Sequence, residues 1–146
     1  MTLRVVLAVL LTVALVGVSL PAIDRAGVAA SDAALDRRAD GLATAAENVC
    51  LDSAPVAPGT PGARRSVPVT LPERSLARAG VERVRIDAGG VHWRVRGAPP
   101  DDRRFDVPVV VDADPLVLRG AGTHRLSLTC ERRPDHPDGV AVLRRA

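Results

Sequence analysis

VVLAVLLTVALVGVSLPAI, from Val5 to Ile23, runs nineteen residues without a charge between Arg4 and Asp24. At about 1.5 Å per helical residue it covers roughly 28 Å, close to the thickness of a hydrocarbon core. Gly17 and Pro21 are tolerated in a helix surrounded by lipid. The stretch therefore reads as a single membrane-spanning helix. The positive amino terminus and Arg4 hold its cytoplasmic side, so residues 24–146 are expected outside the cell membrane. A second fate is open, because Val28-Ala29-Ala30 before Ser31 has the small residues of a signal-peptidase site. The apolar run is longer than a usual signal core, and Asp24 and Arg25 separate it from Ala30. A retained anchor is the expectation, with secretion after cleavage following Ala30 as the alternative.

Working outward, residues 24–52 read as an amphipathic helix continuing from the anchor (residues 1–23). Val28, Leu35, Leu42 and Val49 recur every seven residues, with Ala39, Ala45 and Ala46 between them. Asp32, Asp36, Arg37, Asp40 and Glu47 take most of the remaining positions. The stripe is narrow and alanine-rich, which suits close packing on the protein's own sheet. Residues 53–65 hold three prolines and two glycines and form a linker. From residue 66 to 146 the period becomes two, as in strands. Val67, Val69 and Leu71 alternate with Pro68 and Thr70, and Pro68 suits an edge strand.

Gly89-Gly90 reads as a two-residue hairpin turn, since glycine accepts the positive φ of primed turns. That register pairs Ala88 with Val91, Ile86 with Trp93 and Val84 with Val95 on an apolar face. Asp87 with His92 and Arg85 with Arg94 fall on a polar one. Moving the turn by one residue would set Glu82 opposite Val95 on the inner face. Further strands are expected at 106–111, 116–118, 123–131 and 140–143, separated by turn-prone stretches at 97–100, 112–115, 120–122 and 134–139. The expected fold is α+β: a transmembrane helix continuing into an amphipathic helix, then a small, mainly antiparallel β-sheet domain.

The two cysteines, Cys50 and Cys130, are expected to form a disulfide outside the cytoplasm. Cys130 shares the inward face of its strand with Leu126 and Leu128, where the helix ending at Cys50 reaches it. Metal binding by two cysteines without neighbouring histidines is disfavoured.

All twenty basic residues are arginine, and the chain lacks Lys, Gln and Tyr. Residues 31–52 carry −3 and residues 53–146 carry +5. A basic domain attracts anionic partners. Trp93 and Phe105 are the only aromatics, too few for a stacking platform, so nucleic acid is not an expected partner. No cofactor or small-molecule substrate is indicated. His92 is expected to pair with Asp87 on the surface. His136 lies in a turn sequence with too few ligands for calcium or zinc. Gly120-Ala-Gly-Thr lacks the lysine of a phosphate loop, and no serine sits in a nucleophile elbow. The expectation is a protein that is not an enzyme. Arg83, Arg85, Arg94 and Arg96 on the hairpin are the candidate face for an anionic ligand.

Leu-Pro-Ala-Ile-Asp at 20–24, Pro-Gly-Ala-Arg-Arg at 61–65 and Ala-Gly-Val-Glu-Arg-Val-Arg-Ile at 79–86 carry a resemblance that covers most of the chain. With the order of features, they make it resemble an uncharacterised haloarchaeal family of short membrane-anchored, pilin-like accessory proteins. Members of that family tend to be encoded beside type IV pilus or secretion ATPases. The resemblance implies a structural or accessory role, with pilus or secretion-system components as partners. The competing reading is a secreted or membrane-tethered binding module that uses the arginine face.

Overall fold

The computed structural model describes residues 2–75 and 77–146; the terminal charge on Met1 lies outside them. One helix, α1 (Thr2–Asp52), takes up the first third of the chain without a break, and Pro21 is accommodated inside it. Its 51 residues extend about 77 Å. From Leu3 to Ala26 every described side chain is exposed. Beyond that point Leu35, Ala39, Leu42, Ala45, Ala46 and Val49 are buried in the core, and Val28 packs at its margin. The heptad stripe thus covers the protein's own head, as expected. One half of the helix is bare and the other half is docked.

Eight strands follow: β1 (Arg64–Leu71), β2 (Val81–Asp87), β3 (Gly90–Val95), β4 (Asp101–Arg104), β5 (Val109–Val111), β6 (Leu116–Leu118), β7 (Gly122–Arg133) and β8 (His136–Arg145). They form two four-stranded sheets, ordered β1-β7-β8-β5 and β4-β3-β2-β6. All pairings are antiparallel except β5 with β8. Apolar residues of the first sheet (Leu71, Leu126, Leu128, Leu143) share one core with Val84, Ile86, Trp93 and Leu118 of the second. The head is a small sandwich, and α1 packs on strands of both sheets. Pro68 does lie on an edge strand, β1, where a missing amide donor costs the sheet least.

Four local expectations are corrected. The hairpin joins Asp87 to Gly90, so its turn is Ala88-Gly89 and not Gly89-Gly90. Ile86 faces Val91, Val84 faces Trp93 and Arg85 faces His92. The turn residues do not take the positive φ of a primed turn, and the Asp87 carboxylate closes the turn by accepting the Gly89 amide at 2.9 Å. Gly90 is reserved for another task. A Cβ there would sit 2.3 Å from the Arg103 carbonyl oxygen, so the glycine lets β4 approach β3. The difficulty of Glu82 opposite Val95 is met by a bulge: Val81 faces Val95, Arg83 faces Arg94, and Glu82 is the exposed extra residue.

The second correction is β4. Asp101-Asp102-Arg103-Arg104 reads as loop but pairs along β3, from Trp93–Asp101 to Gly90–Arg104. Charges on an edge strand discourage pairing with another chain, so this polar strand fits its place at a sheet edge. The third concerns 134–139, where only Pro134 and Asp135 turn. Arg133 already pairs with His136, and β8 starts there. Of the strand expected over residues 106–111, only Val109–Val111 is paired.

Candidate functional site

Polar links fasten the helix to the head along its docked half. Near the start, the Ala79 amide donates to the Gly27 carbonyl at 3.2 Å, and the fully buried Ser31 hydroxyl donates to the Ala79 carbonyl at 2.9 Å. A Cβ on Gly27 would lie only 3.4 Å from the Ala77 backbone, so the small residue lets the chain at Ala77 and Arg78 lie against the helix. At the next residue of the helix, the Trp93 indole donates from Nε1 to Asp32 at 2.7 Å. Arg103 of β4 then bridges Asp36 at 3.4 Å and Asp40 at 3.1 Å. At the far end Cys50 is disulfide-bonded to Cys130 of β7. Asp32, Asp36 and Asp40 of the helix are therefore partners of the second sheet, and the disulfide ties the helix to the first.

The disulfide is packed in place by the linker. The Val56 amide donates to the Cys130 carbonyl at 3.1 Å, and the Arg132 amide donates back to the Val56 carbonyl at 2.7 Å. Gly139 has a positive φ of 109°, and a Cβ there would lie 2.7 Å from the Cys130 sulfur. Any side chain at 139 would push against the bridge.

Next to it, on the outer face of the first sheet, is Glu131, the one buried carboxylate among the described residues. It accepts from Arg144 at 2.5 Å, from Arg133 at 3.4 Å and from the Thr129 hydroxyl at 3.4 Å. The hydrogen bond from Arg144 outweighs burial and holds the Glu131 carboxyl below its ordinary value, while the same contact raises Arg144. Arg144 also pairs with Asp112 at 3.3 Å. Because folding lowers the Glu131 pKa, this pair stabilises the head above the unfolded carboxyl value of about 4.3. The contribution is lost as pH falls through the folded value. Glu131→Gln should cost about 1–3 kcal/mol near neutral pH, since Arg144 and Thr129 lose a charged acceptor. It should also flatten the fall of thermal stability on acidification. An unfolding profile from neutral to acid pH that overlays that of the parent protein would refute this assignment.

Three of the four hairpin arginines share a site. Arg83, Arg85 and Arg94 line a shallow depression of about 520 Å³ on the second sheet, with Asp87, His92 and Pro100. Arg85 is engaged by Asp87 at 3.2 Å, and Arg94 lies 4.0 Å from Glu82. His92 pairs with Asp87 at 3.3 Å, as expected. Burial raises the Asp87 pKa, but the Gly89 amide, His92 and Arg85 overcome it and leave the carboxyl below its ordinary value. Arg96 does not line the depression. It lies past the end of β3, where its amide donates to the Gly80 carbonyl at 2.9 Å.

Inside the head there is little room for a ligand. The void where Leu35, Leu42, Val69, Ile86 and Trp93 meet is about 10 Å³. That is at most the space of one water, and its lining is almost wholly apolar. Among the described residues no group of three or more His, Cys, Asp or Glu side chains is gathered as a metal centre would require.

The architecture is that of a head-and-stalk protein: one helix long and apolar enough to cross a membrane, carrying a disulfide-tied β-sandwich. The chain belongs to the family described as a domain of unknown function, DUF7311, whose model matches residues 2–146. No curated protein and no solved structure matches it.

Proposed function

We propose that this protein is a non-enzymatic, membrane-anchored subunit of pilin-like kind, a structural or accessory component of a type IV pilus or secretion-type envelope system. The observation that carries the reading is the division of α1. Its first half is apolar and bare, and its second half is built into the head. A bare apolar helix continuous with a soluble head fits both storage in a bilayer and later packing against the helices of neighbouring subunits. The disulfide supports a head outside the cytoplasm, where such bonds persist.

Affinity purification from detergent-solubilised membranes of the native host is the test. Recovery of pilus or secretion-system components, lost when the bare helix is replaced by an unrelated membrane anchor, is the expected result. Repeated recovery of the protein without any such component would contradict the proposal. The second reading is an anionic-ligand module using Arg83, Arg85 and Arg94, and it is supported by the depression these residues share. Asp87 and Glu82 already draw on part of that charge.

A further inference from the structure

The apolar run of α1 ends at Ile23, and the head first touches the helix at Gly27. Four residues of helix are about 6 Å, so the head begins almost at the end of the membrane-spanning stretch. The part of the head that lies there is defined by backbone contacts. The loop of residues 77–80 is bonded to Gly27 and Ser31 through Ala79, and Arg74 lies against its Gly80. The turn after β3 is bonded to that loop through Arg96 and Gly80, and Gly97 lies against Val28. This rim carries Arg74, Arg78 and Arg96, and Arg25 flanks it on the helix; all four are exposed. None of the four makes an ion pair with another described residue, whereas Arg65, Arg85, Arg94, Arg103, Arg104, Arg133 and Arg144 all do. Asp24 and Glu73 are the acidic neighbours in sequence, which leaves the rim net positive.

We infer that this rim is a lipid-facing collar: Arg74, Arg78 and Arg96, with Arg25, bind the phosphate groups of anionic lipids around the emerging helix. An arginine side chain reaches about as far as the gap between head and bilayer, and guanidinium pairs with phosphate in two parallel hydrogen bonds. Basic residues held next to a bilayer gain from its negative surface potential, an attraction that fades within a Debye length of about 8 Å. Only the membrane-proximal end of the head is that close. Arg64, Arg65 and Arg132 lie at the opposite end, near the disulfide, about 35 Å further along the helix from Gly27. The collar sets the tilt and height of the head above the membrane. It needs only the membrane anchor and does not depend on pilus assembly.

The test uses the full-length protein reconstituted in phosphatidylcholine vesicles containing some phosphatidylglycerol. The preference of the protein's lipid annulus for spin-labelled phosphatidylglycerol over labelled phosphatidylcholine is measured. The parent protein should show a preference of about fivefold or less, the order expected for one arginine at a membrane surface, and it should weaken as salt is raised. Arg74→Ser, Arg78→Ser and Arg96→Ser together should lower it clearly, with Arg25 left to hold what remains. Arg64→Ser, Arg65→Ser and Arg132→Ser remove the same charge from the far end and should leave it unchanged. Equal preferences in the two triple variants, or none in the parent, would overturn the collar. Resistance to alkaline extraction, measured on the same vesicles, reports on the anchor separately, so failure of the anchor is distinguishable from failure of the collar.

Discussion

Replacing both cysteines, Cys50→Ser with Cys130→Ser, should destabilise the head by as much as about 4.5 kcal/mol, the chain-entropy figure for a loop of this size. The bridge spans 80 residues and closes nearly the whole head on the end of α1. Without it the unfolded chain regains that freedom. Val49 would remain as the last buried residue of the helix among those described, so the final turn and the 53–63 linker should become the first sites of proteolysis. Substituting both residues avoids leaving a lone thiol. Denaturant unfolding of the detergent-solubilised protein reads the loss directly, beside the reduced parent protein as a control. An unfolding midpoint shared by the double variant and the oxidised parent would mean that the bridge contributes nothing.

Leu42→Ala should cost about 2–5 kcal/mol, the range for truncating a buried leucine. Leu42 is 1% exposed, and with Leu35 and Ala39 it meets Val69 of one sheet and Val84, Ile86, Val91 and Trp93 of the other. The cavity left behind would sit where three packing layers join, and none of them can close it without drawing away from another. Leu51→Ala is the matched control, since Leu51 is 82% exposed and its truncation should lie within about 0.5 kcal/mol of neutral. Both variants should keep the disulfide, which separates loss of packing from loss of the bridge. Similar midpoints for Leu42→Ala and Leu51→Ala would show that the helix is not part of the head's core.

Much of this arrangement could be read from residue order. The uncharged run, the seven-residue stripe and the inward face of Leu126, Leu128 and Cys130 each follow from one local period. Together they place the helix on the sheet and join it by the disulfide. Where reading failed, the deciding force was not local. Gly89-Gly90 looks like a turn because a sequence cannot reveal that Gly90 must admit the β4 backbone. The Glu82 bulge removes the clash that had favoured the other register. The polar β4 strand has no period to betray it, because its pairing is made by backbone and its side chains face solvent or the acidic face of α1.

The candidate sites divide in the same way. Strict alternation groups Arg96 with Arg83, Arg85 and Arg94. The strand ends at Val95, however, and carries Arg96 to the rim beside the apolar half of α1. Arg74 and Arg78 have no pattern that marks them. They join that rim only because Ala79 bonds to Gly27 across half the chain's docked length. Nothing in the sequence shows that Asp36 and Asp40 share Arg103 of β4 as a partner. Charge in this protein becomes meaningful only once the fold shows which arginines are already neutralised.

The central claim is that one uncleaved helix anchors an oxidised head at the membrane. The intact mass of the native protein, taken separately from membranes and from medium, tests it most directly. A membrane species that retains the whole apolar helix and is two hydrogens lighter than its reduced form is expected, as the bond between Cys50 and Cys130 requires. A species beginning at Ser31 in the medium, or a membrane species with both thiols free, would contradict it.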